Sequence, residues 1–391
     1  MTPFLTILLA GFLARFSYQM ARSPVLPRFA QDLGAVPELI GLIVAASTIS
    51  GVLVKLPAGA LSDILGRKRM LLLGSLFFAV PPFFYPLINS PGPLLALRFL
   101  HGLATAIFSP VAAAIVADLA TRRRAEQLGW FASASDLGAT LGPLLGGLVL
   151  YYTANYSSTY LVVGILGILP LGLLLRLPEP PREPAPATSS RERTRRFHEG
   201  IKEVISSRGV IIASSLEAML YVGYGAFLGF FPTYGRGIGL NDAQIAVVMG
   251  VQLATTMLAK PISGRLSDNW GRKPMIVAGL CLCAGTLPLI PRLTSIWLLS
   301  GVSALFGLGV AIVTPSTTAL VADLVKAGRM GSAMGVFGTI WDTGEAAGPI
   351  LAGFLIAFLS YGSAFSIIAA LMLAMALLFS LAVKDPGAAV S

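Results

Sequence analysis

GALSDILGRKR at 59–69 and GRLSDNWGRKP at 264–274 are one pattern written twice, 205 residues apart. At that offset Pro27 meets Pro232, Lys55 meets Lys260, Pro110 meets Pro315 and Asp118 meets Asp323. One inserted residue later, Asp136 meets Asp342 and Gly142-Pro143 meets Gly348-Pro349. A register kept this far is the mark of an internal duplication, and each copy must be a structural unit of its own.

What lies between the repeated residues is hydrophobic. Of 391 residues, 55% are hydrophobic and 12% charged, and mean hydropathy is +0.80. A soluble chain carries about 25% charge, so there is too little polar surface here to cover soluble domains. Runs long enough to cross about 30 Å of hydrocarbon recur throughout. They fall near 4–29, 38–58, 70–89, 93–119, 126–151, 159–177, 209–233, 243–263, 274–292, 295–322, 331–356 and 361–383. The first run continues into Arg15, Tyr18, Gln19 and Arg22 without a small-residue cleavage site, so it reads as a span and not as a cleaved leader. The only cysteines, Cys281 and Cys283, point in different directions on a helix and exclude a disulfide scaffold.

The net charge of +10 is explained by where the cations sit. With the N-terminus inside, twenty of the 28 Lys and Arg residues are cytoplasmic, three are outside (Arg28, Arg236, Arg292) and five are in spans (Arg15, Arg22, Lys55, Arg98, Lys260). That is the positive-inside asymmetry of a multi-pass protein, and it argues against nucleic acid as a partner. The one long polar stretch, LPEPPREPAPATSSRERTRRFHEGIKEVISSRG from Leu177, reads as a cytoplasmic linker with an amphipathic turn near Phe197 to Ile205. The domains expected are a six-helix bundle at 1–177, the linker at 178–208 and a second six-helix bundle at 209–391. The fold class is all-α and polytopic, with twelve helices in two pseudo-symmetric bundles.

Ionisable residues inside spans mark function, because a charge at the bilayer centre costs at least about 2.5–3.5 kcal/mol. Asp136, Glu217 and Asp342 lie some ten residues, near 15 Å, from the cytoplasmic ends of their helices, and Glu345 is one turn beyond Asp342. A carboxylate in a partly desolvated cavity can load and release a proton near neutral pH. Arg15, Tyr18, Gln19 and Arg22 form an i, i+3, i+4, i+7 stripe on the first span, and Glu217, Tyr221 and Tyr224 form another on the seventh. Trp341 beside Asp342 is a further candidate. The alternative for each is a fixed ion pair, but so many fixed pairs would resist motion between the halves. His101, one turn from Arg98, reads as a hydrogen-bonded packing residue more readily than as a proton relay, and Phe77, Phe78, Phe83 and Phe84 as lipid-facing bulk. No P-loop, metal-binding pair of histidines or nucleophile elbow is present, so the expectations are no enzyme, no metal and no cofactor.

The chain resembles the major facilitator superfamily over its whole length, most closely the twelve-helix drug:proton antiporter branch. The resemblance rests on Gly59, Leu61, Asp63, Gly66, Arg67 and Lys68 between the second and third spans, and on Arg98 with Gly102 in the fourth. It rests further on Gly138, Gly142, Pro143, Gly146 and Gly147 in the fifth, an antiporter pattern. It implies that spans 1, 4, 7 and 10 line a central cavity. It also implies a cytoplasmic latch built from Gly59, Asp63, Gly66, Arg67 and Asp118, repeated as Gly264, Asp268, Gly271, Arg272 and Asp323. The glycines of the fifth span, four apart, permit close helix approach while Pro143 bends the helix.

The function expected is proton-coupled export of a small molecule by alternating access, driven by the proton gradient, in a bacterial inner membrane. Both termini are expected to be cytoplasmic, and the protein to act as a monomer. Asp136 and Glu217 are the first proton-carrier candidates, then Asp342 and Glu345, with Arg98 tuning them. Arg15, Tyr18, Gln19, Arg22, Tyr221, Tyr224 and Trp341 are the substrate candidates. Three arginines in the cavity keep open a second reading, transport of an organic anion in either direction. A non-transporting membrane sensor is the third.

Overall fold

A computed structural model describes residues 2–119, 124–177, 207–325 and 330–382, and among these every regular element is a helix. The expected amphipathic turn at 197–205 lies outside the described residues. In the N-terminal half α1 (Pro3–Arg22), α2 (Val25–Asp32), α3 (Pro37–Leu65), α4 (Arg67–Ala79), α5 (Pro91–Leu119), α6 (Arg124–Thr153) and α7 (Tyr156–Leu175) make six spans, α1 and α2 sharing the first. The C-terminal half follows with α8 (Arg208–Gly237), α9 (Asp242–Trp270), α10 (Arg272–Thr286), α11 (Ile296–Leu324), α12 (Met330–Phe358) and α13 (Tyr361–Ala382). Eleven stretches of the described residues are long and apolar enough to cross a membrane, and α12 is a further helix of 29 residues. Large apolar side chains face outward, such as Trp297 and Leu381, each about four-fifths exposed. That is the surface a bilayer covers.

The repeated pattern is less of a loop than its sequence suggests. α3 runs on to Leu65 and α9 to Trp270, so Gly59, Asp63, Gly264 and Asp268 sit on helix ends. The turn is one residue in each half: Gly66 with φ 99° and Gly271 with φ 93°, each followed at once by the next helix. A side chain there would meet its own backbone, which is why glycine recurs.

Other departures have local causes. The first span is broken at Ser23-Pro24. The third and ninth end as 3-10 turns, Pro81–Leu87 and Leu287–Arg292, where clustered prolines remove backbone donors. Phe78 is not lipid-facing bulk; it is buried in the N-terminal core against Tyr18 and Phe108, whereas Phe83 and Phe84 are exposed. Asn155 caps α7, accepting from the Ser157 and Ser158 amides at 2.7 and 3.3 Å.

The described residues form two compact units. One joins the spans of the N-terminal half to 227–250 and 349–358; the other takes the rest of the C-terminal half. Glycine sets the helix spacing inside both. A Cβ at Gly138, Gly142 or Gly146 would strike the α1 backbone at Phe12, Phe16 or Met20. In the second unit a Cβ at Gly344 or Gly348 would strike α8 at Ala218 or Val222. Pro143 and Pro349 both stay inside their helices.

Candidate functional site

The first unit holds a buried cation. Arg98 is the eighth residue of α5, about 10 Å along it from its start at Pro91. It is fully buried, as is His101 one turn on. Tyr18 is drawn from the α1 stripe into the core, where the guanidinium carbon stands 4.8 Å from its ring centroid. Tyr18 also meets His101 edge to face at 5.0 Å. The Tyr85 hydroxyl lies 3.0 Å from His101 Nδ1, and Tyr85 stacks on Tyr160 at 4.0 Å. Arg98 Nη1 reaches the same Nδ1 at 3.5 Å, while its Nε and Nη2 have no hydrogen-bond partner among the described residues.

The other stripe residues diverge. Arg22 donates to Thr48 Oγ1 at 3.3 Å, Gln19 lies against Gly142, and Arg15 is half-buried. Asp136 is exposed, whereas Arg98 is buried; Asp136 shares a face of α6 with Thr140, Pro143 and Gly147, the last packed on Ala246.

The second unit holds a buried carboxylate. Glu217 lies about 14 Å from the start of α8 and is fully buried. Its Oε2 accepts a 2.5 Å hydrogen bond from Thr317 of α11, and its Oε1 has no hydrogen-bond partner among the described residues. Lys260 of α9 acts on it electrostatically. One turn along α8, Tyr221 stacks on Trp341 at 5.1 Å and meets Tyr224 edge to face at 5.5 Å. Trp341 Nε1 donates to Asp342 Oδ1 at 2.6 Å. Asp342 is buried and Glu345 half-buried. Thr317 escaped the sequence reading because Thr314, Thr317 and Thr318 are equivalent until the facing helix is known.

At the end near residues 176 and 208, both repeats pair an arginine with an aspartate. Arg67 Nε contacts Asp118, and Arg272 contacts Asp268 and, at 3.3 Å, Asp323. The Asp63 side chain lies outside the described residues. At the opposite end the first unit holds an ionic cluster whose partners are too far apart along the chain to be paired by spacing. Arg28 meets Asp242, and Asp32 accepts from Arg236 and, at 2.6 Å, from the Tyr156 hydroxyl.

These features fit the comparisons with known proteins. The family model described as Major Facilitator Superfamily matches residues 7–241 and 213–390, and the chain belongs to that superfamily. It is 27% identical over 363 residues to an uncharacterized MFS-type transporter of Methanocaldococcus jannaschii, covering 90% of this chain and 89% of the relative. It is 23% identical to the quinolone resistance protein NorA of Staphylococcus aureus, covering 85% and 84%. Among solved structures, a bacterial homolog of the human lysosomal transporter Spinster, in an inward-facing and unoccupied conformation, aligns with TM-score 0.76 at 17% identity, covering 97% and 94%. The nucleoside transporter NupG aligns with TM-score 0.77 at 14% identity, covering 98% and 100%. The chain is therefore a multi-pass membrane transporter of the major facilitator fold.

Proposed function

We propose that the chain exports a small molecule in exchange for protons, with Glu217 as the principal proton carrier. The observation that carries this is the environment of Glu217, a fully buried carboxyl with one oxygen held by Thr317 and the other unbonded among the described residues. A negative charge there is costly, and a proton on Oε1 removes it; such a group cycles between two states rather than anchoring a permanent pair. Asp136, exposed on α6, and the Asp342–Glu345 pair on α12 are secondary carriers. Tyr221, Tyr224 and Trp341 offer an aromatic wall for an apolar or planar substrate.

The two six-span halves rock, with the Arg67–Asp118 and Arg272–Asp323 pairs on the cytoplasmic side. The Arg28–Asp242 and Asp32–Arg236 pairs then form a contact that the cycle must release on the outer side. Similarity to a quinolone resistance protein supports an export role.

The test uses inside-out vesicles with an imposed proton gradient, to which ethidium, a quinolone, a neutral antibiotic and benzoate are added one at a time. Substrate-dependent collapse of the gradient is expected, and its loss in Glu217→Gln. Collapse that persists in Glu217→Gln removes Glu217 from the coupling. A second reading, transport of an organic anion, is favoured by Arg98, a buried cation with unfilled donors. Collapse by benzoate alone selects it.

A further inference from the structure

The surroundings of Arg98 describe a specific ligand chemistry. Within the first unit its side-chain neighbours are His101, the Tyr85 hydroxyl and the ring of Tyr18, and none of them is a carboxylate. A guanidinium only donates, so its contact with His101 Nδ1 requires that nitrogen to carry the lone pair. Neutral His101 then bears its proton on Nε2, and Nε2 has no hydrogen-bond partner either. The Ser47 hydroxyl, on the α3 turn whose backbone packs against Gly102, is likewise buried; it interacts with the Tyr18 hydroxyl but makes no well-formed hydrogen bond among the described residues.

The unfilled groups are thus Arg98 Nε–H and Nη2–H, His101 Nε2–H and the Ser47 hydroxyl, three of them obligate donors. Their net charge is positive. Arg22, bonded to Thr48 next to Ser47, adds a second guanidinium whose charge acts on Tyr18. Leaving a charged buried donor unmatched costs on the order of 1–3 kcal/mol or more. A side chain kept at that cost has its acceptor supplied during the working cycle.

The duplication provides an internal control. At the 205-residue offset Arg98 corresponds to Ser303, His101 to Phe306 and Ser47 to Gln252. The second unit carries no cation at these positions, and there Gln252 donates to Thr256 at 3.1 Å. Gln252 Oε1 and the Ser303 hydroxyl are also buried without a hydrogen-bond partner among the described residues, but neither is a charged donor. The donor cluster therefore belongs to one half only and is not needed to build the six-span unit.

We infer that Arg98, His101 and Ser47 form a subsite for a carboxylate carried by the transported molecule, with the Tyr18 ring as its apolar wall. The inference rests on the reading of the chain as a small-molecule transporter and narrows that reading to substrates bearing an anionic group.

The experiment measures binding of benzoate and acetate to the purified full chain in lipid nanodiscs, against the neutral isosteres benzamide and acetamide, with no proton gradient. Benzoate is expected to bind and benzamide to bind weakly or not at all. Arg98→Gln is expected to weaken benzoate by ten- to a hundredfold, on the order of one lost charge-assisted hydrogen bond or two. Ser47→Ala removes no charge, so it tests the subsite even where Arg98→Gln fails to fold; a several-fold loss confined to the carboxylates is expected. Equal binding of benzoate and benzamide, no carboxylate binding, or unchanged benzoate affinity in Ser47→Ala and Arg98→Gln overturns the inference. Because binding is read without a gradient, a failure of proton coupling leaves this result intact, and coupled export of ethidium without carboxylate binding refutes the subsite alone.

Discussion

The two halves descend from one pattern and differ most where charge is buried. The N-terminal half places Arg98 in its core; the matching residue of the other half is Ser303. The C-terminal half places Glu217 in its core, where its counterpart is Phe12, and supplies Thr317 where the first half has Ala112. What the halves share is mechanical: a glycine turn after α3 and α9, glycines that let α6 approach α1 and α12 approach α8, and an arginine–aspartate pair at the same end. The shared glycines set how closely the helices pack, whereas in the proposed mechanism the principal chemistry falls to the unshared Arg98 and Glu217, with Asp136 and Asp342 the shared exception. Buried charge in a membrane is too costly to keep without use, so divergence at those positions is the most informative difference between the repeats.

Exchanging or erasing the unshared residues should break the comparison most severely. Glu217→Gln is expected to reduce gradient-driven transport to the background of protein-free vesicles while the protein still inserts; full transport would mean that the buried charge of α8 is structural. Thr317→Val keeps the carboxyl and deletes its closest donor, leaving Thr314 on the same helix. A loss on the order of 1–3 kcal/mol in the coupled step is expected, read as a lowered transport rate with Glu217 intact.

The shared residues should act on stability. Gly142→Val and Gly348→Val each place methyl groups against a helix backbone, and each is expected to destabilise by roughly 1–3 kcal/mol. Thermal unfolding in detergent should show similar losses in the two halves; a strong asymmetry would break the claim of mechanical equivalence. The smallest stability effect belongs to Arg67→Ala and Arg272→Ala. These pairs are partly exposed and worth about 0–1 kcal/mol. Any larger effect of these two variants should appear in transport rate, not in melting.

Much of this was legible in sequence because it follows from length, periodicity and repetition. The twelve spans, the turn glycines, and the depth of Glu217 and Asp342 need only counting along a helix. What escaped depends on rotation and on partners across space. Tyr18, Gln19 and Arg22 share a stripe, yet Tyr18 enters the core beside Arg98 while Arg22 turns to Thr48. Asp136 and Asp342 are equivalent in the repeat, but the first is exposed and the second is buried beside Trp341. The role of Phe78 was hidden for the same reason: lipid and core are both apolar, so hydropathy cannot tell an outward phenylalanine from an inward one. Breaks at Ser23-Pro24 and at the 3-10 turns are proline effects whose presence could be read and whose exact extent could not.

The central claim is that proton coupling resides in the carboxylate half, at Glu217. Its most direct test is proton release from the purified full chain in weakly buffered detergent solution on addition of a substrate identified by gradient collapse. The account predicts release of about one proton per bound substrate from the unaltered protein, as in exchange at one carboxyl, and none from Glu217→Gln that still binds the substrate. Undiminished release from Glu217→Gln would contradict it and move the coupling to Asp136 or to Asp342 and Glu345.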